Sequence, residues 1–286
     1  MDAVLYALLC LIWGSTWLVI KVGLDGVPPF LGAGLRFTLS TGLVGVVLAA
    51  RREPLRLTVD DKVCAVSLGL LVFWIDYAAV YWAETRISSG LTAILFSTMP
   101  LMTALLSRFW TRSEVLGGGT IAGILVGVAG TTLLFWPHDR LSPAQALGML
   151  AALGASFCAA VNLVLVKRHG GGSDPFVLNF AGMGIGAACL LAMSAALETW
   201  SSVAWSRSNV LAIVYLSVFG SVIAFWVYYR LIKVMDATVV SLMSLVIPIV
   251  ALALGRTFLR ETVTALDIAG IATILGGVAV AIVRGG

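Results

Sequence analysis

Two stretches decide how this chain is read: KVGLDGVPPF at residues 21–30 and KRHGGGSDPF at residues 167–176. Each begins with a lysine that closes an apolar run, and eight residues later Pro-Phe opens the next run. Lys21 leads to Pro29-Phe30, and Lys167 leads to Pro175-Phe176, at an offset of 146. The registration continues outward. Pro100 matches Pro248 at an offset of 148, and Glu114, Gly123 and Gly130 match Glu261, Gly270 and Gly277 at 147. Near-constant spacing over half a chain is the mark of a duplicated unit, here residues 1–141 followed by residues 142–286.

Composition says what the unit is made for. Of 286 residues, 60% are hydrophobic and 11% charged, with a mean hydropathy of +1.04. A soluble domain carries about 25% charged residues, and a folded chain of this length leaves too much surface outside to hide so much apolar side chain. The solvent is lipid. A spanning helix needs about 20 apolar residues, and ten segments qualify: 3–24, 28–50, 63–83, 88–108, 115–136, 143–167, 175–197, 209–233, 236–256 and 264–284. The expected fold is therefore all-α and membrane-embedded. Because five spans per unit is an odd number, the second copy enters the bilayer from the opposite side, an inverted 5+5 repeat of the kind many carriers use.

The formal charge of +4 arises from 18 Lys and Arg against 14 Asp and Glu, scattered singly or in pairs between apolar runs. That distribution is a topology signal with no basic stripe for nucleic acid. With both termini in the cytoplasm, eleven cations fall inside and six outside, counting Lys21, Arg86, Arg140, Arg207, Arg256 and Arg260 as outer. The expected location is an inner cell membrane. The first apolar run begins almost at Met1, lacks a basic leader and ends at Lys21 without a small-residue cleavage site, so it reads as a span. Cys10, Cys64, Cys158 and Cys189 all lie in apolar segments without metal or redox spacing, and read as packing residues.

Several motifs resemble those of a known family. Trp13-Gly14-Ser15 with Lys21, Arg36-Phe37, the run from Ser88-Ser89-Gly90 through Pro100 to Glu114, and its echo from Ala237 through Pro248 to Arg260-Glu261 and Gly270 resemble EamA-type permeases of the drug/metabolite transporter superfamily. The resemblance covers essentially the whole chain. It implies a ten-helix carrier, and the family includes an amino-acid exporter branch that handles aromatic amino acids. The second half departs from the first at Ala159-Ala160-Val161, which stands in place of Trp13-Gly14-Ser15, so the two walls of a central cavity would differ chemically.

Tyr6, Cys10, Trp13 and Trp17 share one helical stripe, as do Tyr215, Phe219, Val222, Trp226 and Tyr229. Trp13, Trp17, Trp74, Tyr77 and Trp226 lie deep in their spans, where they serve either as a cavity wall for apolar solutes or as helix packing. Asp76 and Arg36 are the acid and the cation well inside spans. Each is eight residues from an expected outer boundary, or about 12 Å deep, so they are a candidate ion pair. Either Arg36 ties helices together with Asp76 as its satisfier, or Asp76 exchanges between Arg36, a substrate amine and a proton. Thr16 and Asn162 correspond through the repeat and offer either substrate contacts or interhelical hydrogen bonds. Ser97 and Thr98 precede Pro100, and Ser241 and Ser244 precede Pro248. The two prolines are candidate bending points, since each removes a backbone donor and frees a carbonyl. Gly119, Gly123, Gly127, Gly130, Gly270 and Gly277 suit close helix packing.

The pattern points to a secondary carrier that moves a small organic solute, with amino-acid export ahead of broad-specificity drug or metabolite permeation. No cofactor, metal or ATPase subunit is implied, and a monomer or weak homodimer is expected. An enzyme would need a catalytic cluster, yet His138 and His169 fall on opposite sides of the membrane and neither HExxH nor GxSxG occurs. A channel would show a charged ring or a carbonyl-lined filter.

Overall fold

The structure is a computed structural model that describes residues 2–52, 55–110, 118–135, 142–169, 174–234 and 243–284. Glu114, Ala237, Ser241, Arg140 and His138, along with parts of the expected fifth and ninth spans, lie outside the described residues. Among those described, seven helices are long and apolar enough to cross a membrane: Asp2–Gly23, Pro29–Arg51, Val59–Glu84, Ser89–Ser107, Pro143–Val166, Pro175–Leu197 and Arg207–Tyr228. Three shorter apolar helical stretches, Ile121–Gly130, Val246–Leu259 and Ile268–Val280, occupy the expected fifth, ninth and tenth positions. The described elements are helices, turns and loops, so the molecule is an all-α, multi-pass membrane protein.

The helix starts are written in the sequence. Pro29 and Pro175 open the second and seventh spans, where proline's missing N–H is harmless. Thr58 with Asp61, and Ser206 with Asn209, form capping boxes that start the third and eighth spans, 148 residues apart. The third and eighth spans share a second feature. Each widens into a π-helical stretch, Leu68–Asp76 and Val218–Ile223, and these end 147 residues apart. Such stretches disturb the regular backbone ladder and are frequent at functional sites.

In lipid the interior gains little from hydrophobicity alone, so close contact decides packing. The fifth span (Gly118–Phe135) and the tenth (Ala265–Arg284) lie along each other, as do the second and seventh. A Cβ at Gly277 would stand 2.6 Å from the Gly123 carbonyl oxygen, and one at Gly130 would stand 2.6 Å from the Ile274 nitrogen. In the second–seventh seam, a Cβ at Gly34 would meet Leu191 at 2.7 Å. These glycines let backbones touch.

The two candidate bending points differ. The fourth span breaks at Ser97-Thr98, between Ser89–Phe96 and Met99–Trp110, with Pro100 in the first turn of the second piece. The Phe96 carbonyl, which Pro100 leaves without its helical donor, accepts from Ser156 Oγ at 3.2 Å, while Ser97 Oγ and Thr98 Oγ1 add hydrogen bonds to the Ile94 and Leu95 carbonyls at 2.6 and 2.7 Å. Pro248, by contrast, sits inside the unbroken helix Met243–Leu259.

Candidate functional site

The first, second, third and eighth spans meet around a chain of aromatic rings. Trp13 packs on Phe225 at 6.0 Å and Tyr228 at 5.3 Å. Phe225 reaches Phe73 at 6.3 Å, Phe73 reaches Phe37 at 5.0 Å, and Phe37 reaches Tyr77 at 4.6 Å. Trp17 is buried one turn away, its ring 5.5 Å from Phe96 of the fourth span. Trp13, Trp17 and Tyr77 therefore share one aromatic region. Trp226 does not join it. It is 42% exposed, on the same outward stripe as Phe219, while its neighbours Phe225 and Tyr228 face Trp13. Periodicity found the stripe but could not say which way it faces, because a lipid-facing stripe is as apolar as an inner one.

Arg36 is 1% exposed and sits over the rings of Phe37 at 5.0 Å and Tyr77 at 4.8 Å. Its Nε donates to Ser221 Oγ at 3.3 Å and its Nη2 to the Gly220 carbonyl at 3.5 Å, both on the π-helical stretch of the eighth span. The Arg36 carbonyl accepts from Ser217 Oγ at 2.9 Å. Nη1 has no partner. The expected Arg36–Asp76 ion pair is not formed: the ion pairs among the described residues are His169–Asp60 at 3.1 Å and Arg230–Asp2 at 3.6 Å. The reason is local. The widened eighth span offers Arg36 a carbonyl and a hydroxyl, and the adjacent rings stabilise its charge at close range.

Asp76 ends the π-helical stretch of the third span and is 2% exposed. Its carboxyl makes no hydrogen bond or ion pair among the described residues. A buried acid without a donor is costly in a membrane. Asn162 and Thr16, by contrast, are engaged within the protein. Ser67 Oγ donates to Asn162 Oδ1 at 2.9 Å, and Thr16 Oγ1 donates to the Trp13 carbonyl at 2.6 Å. The contact matching Ser67–Asn162 in the other half is Tyr215–Ser15 at 2.8 Å, so Asn162 answers Ser15, 147 residues away, and not the expected Thr16.

A cleft of about 610 Å³ between the second and eighth spans is lined by Leu35, Leu39, Leu43, Ile213 and Val214, and holds none of the expected site residues. Among the described residues no group of three or more His, Cys, Asp or Glu could hold a metal. The carboxylates of Glu84, Glu198 and Glu261 carry no mark in the sequence, because they lie at span ends, where acids are ordinary. Glu198 accepts the N–H groups of Phe30 at 2.7 Å and Leu31 at 2.9 Å, which caps the second span from the far end of the seventh.

Comparison with known proteins is consistent across the chain. The model of the EamA-like transporter family matches residues 2–136 and 146–283. The chain is 31% identical over 271 residues to "Uncharacterized inner membrane transporter YedA" of Escherichia coli K12, covering 91% of this chain and 83% of that protein. It is 27% identical over 279 residues to "Uncharacterized transporter YvbV" of Bacillus subtilis, covering 96% and 89%. It is 26% identical over 285 residues to the "Probable amino-acid metabolite efflux pump" of Escherichia coli K12, covering 96% and 93%. A solved crystal structure at 24% identity shares the fold with a TM-score of 0.69, covering 98% of this chain and 96% of the other.

Proposed function

The chain belongs to the EamA-like transporter family, and from that premise we propose that it is a secondary carrier that exports amino acids by alternating access between two inverted halves. The family is one of membrane transporters of the drug/metabolite type, which supports a carrier over an enzyme. The observation that carries the finer reading is Asp76, a buried, unpartnered carboxyl next to Tyr77, whose ring belongs to the aromatic chain that runs through Phe37, Phe73 and Phe225 to Trp13. An ammonium group would satisfy the acid, and an apolar or aromatic side chain would lie against the rings. The similarity to the amino-acid metabolite efflux pump supports this choice of substrate.

Two inverted halves, 1–141 and 142–286, are supported by the pairing of the spans. The first packs on the ninth and the sixth on the fourth, the third on the seventh and the eighth on the second, the third on the sixth and the eighth on the first. Each of these pairs turns into its partner when every span is exchanged for its repeat mate. Arg36 ties the second span to the eighth, and Pro100 and Pro248 remain the bending points in this mechanism. Cytoplasmic termini, an inner-membrane location and a monomer or weak homodimer complete the reading.

Counterflow into proteoliposomes preloaded with unlabelled solute tests it. Labelled amino acids, nucleosides and cationic drugs are compared. Saturable counterflow of amino acids is the expected result, and saturable counterflow restricted to drugs would favour a broad-specificity permease, a reading the aromatic wall also suits. Fast unsaturable flux would indicate a channel, and chemical change of the solute an enzyme.

A further inference from the structure

Glu84 is the last residue of the third span and is 0% exposed, and neither of its carboxyl oxygens has a hydrogen-bond partner. It lies in a knot of polar groups where the first, third, fourth and ninth spans end. Lys21 Nζ donates to the backbone carbonyls of Glu84 and of Ile87, the latter at 2.8 Å, and so joins the first span to the turn between the third and fourth. Lys21 therefore contributes its charge nearby while its hydrogen bonds go to backbone. Glu261 closes the knot from beyond the ninth span. Its Oε1 accepts the N–H and the hydroxyl of Ser89, each at 2.8 Å, and its Oε2 accepts the N–H of Gly90 at 3.2 Å. A Cβ at Gly255 would overlap this carboxylate, so glycine there gives it room. Ser89 and Thr92 behind it are 0% exposed, so this end of the molecule is shut.

Charge in the knot does not balance. Lys21 brings one positive charge, Glu261 one negative charge, and an ionised Glu84 a second negative charge. The other titratable or charged neighbours are Tyr81, one turn earlier on the same span, whose buried hydroxyl also lacks a partner; Arg86, which lies over the Trp82 ring and donates to the Trp82 carbonyl; and Arg256 and Arg260, which line a surface cleft with Glu261 and so meet its solvent side. The fourth span faces the knot with Ser88, Ser89 and Thr92. On the second span Arg36 is held deeper at Tyr77 and Arg51 lies at the opposite end, and the stretch 143–166 of the sixth carries only Cys158 as a titratable side chain. A metal ion would need about six oxygen ligands, and no group of three or more potential ligand side chains stands there among the described residues. A single proton restores neutrality with no further ligand. Packing does not require an acid at this place either. The repeat mate of Glu84, 147 residues on, is Leu231, which is equally buried.

We propose that Glu84 is a proton-binding site that couples protonation to closure of the Lys21 end of the carrier. One proton moves from water to the Glu84 carboxylate as Ser89 and Gly90 seat on Glu261, and returns to water as they part. The proposal deepens the carrier reading by naming the coupling ion and its residue.

Accessibility of a buried thiol tests it without any solute. The full chain, with its four cysteines changed to alanine and Thr92→Cys as reporter, is placed in nanodiscs, where both faces are reachable. Its labelling by a water-soluble maleimide is followed from pH 6 to 8.5 and normalised to the detergent-unfolded chain at each pH. The expected rate rises with pH, by up to about tenfold per unit, the limit for one linked proton. Glu84→Gln should hold the low rate at every pH, and Glu84→Leu, copying Leu231, should do the same and guards against a poorly folded amide variant. A flat profile in the parent chain, or an unchanged slope in either variant, overturns the proposal. A slope lost with Glu84 in a chain that shows no counterflow would sink the carrier reading and leave this one standing. Counterflow with an unchanged slope in the Glu84 variants would do the reverse.

Discussion

Gly276 and Gly277 are adjacent in the tenth span, yet alanine at the two positions should have opposite effects. At Gly276 a new Cβ meets nothing within 4 Å. The variant should gain the helix propensity that glycine lacks, up to about 1 kcal/mol. At Gly277 the same Cβ stands 2.6 Å from the Gly123 carbonyl oxygen and from the Gly127 nitrogen, where ordinary contact begins at 3.4 Å. The difference, 3.4 − 2.6 = 0.8 Å, must be absorbed by backbone, because the opposing atoms belong to the fifth span's main chain and cannot rotate aside. A gap of that size forfeits about a quarter to a half of each dispersion contact along the seam, and overpacking of this kind costs about 1–3 kcal/mol. The propensity gain is common to both sites and cancels in the comparison. Gly277→Ala should therefore be less stable than Gly276→Ala by about 1–3 kcal/mol. Reversible unfolding in mixed micelles with increasing denaturing detergent, followed by tryptophan fluorescence, measures that difference. Equal midpoints, or a more stable Gly277→Ala, would refute the backbone-to-backbone packing of the fifth and tenth spans.

Three further outcomes bear on the candidate site. Asp76→Asn should abolish gradient-driven transport while leaving the chain folded, since the acid holds no partner whose loss would unfold it; full activity of the variant in proteoliposomes would remove Asp76 from the site. Arg36→Gln should destabilise through the contacts to Ser221, Gly220, Phe37 and Tyr77, and its stability effect should add to that of Asp76→Asn within about 0.5 kcal/mol, whereas mutual rescue in a double-mutant cycle would show that the two charges do pair. Trp17→Ala should weaken transport of bulky apolar solutes more than of small ones, and the outward-facing Trp226→Ala should leave that preference unchanged; an equal loss for all solutes in Trp17→Ala would indicate a packing defect.

The residue pattern by itself determined the class of the molecule, the placement of its helices and its family. Those features rest on quantities a linear chain carries openly: the length of apolar runs against the thickness of a bilayer, prolines and capping residues at helix starts, and the constant offset between Lys21–Pro29 and Lys167–Pro175. It also drew attention to Asp76 and Arg36, because charge in lipid is conspicuous. Tertiary structure decided which way side chains face and whom they meet. Trp226 turns outward and Phe225 inward because lipid accepts either, so hydropathy has no preference to reveal. Arg36 binds the eighth span and not Asp76 because a π-helical stretch presents Gly220 and Ser221, and the propensity of Val218–Ile223 for that geometry is not marked by any residue type. Glu84 and Glu261, each unremarkable at the end of a span, become a closed polar knot only when the first, third, fourth and ninth spans converge. Burial is a property of the assembled helices, and it is burial that turns an ordinary acid into a costly one.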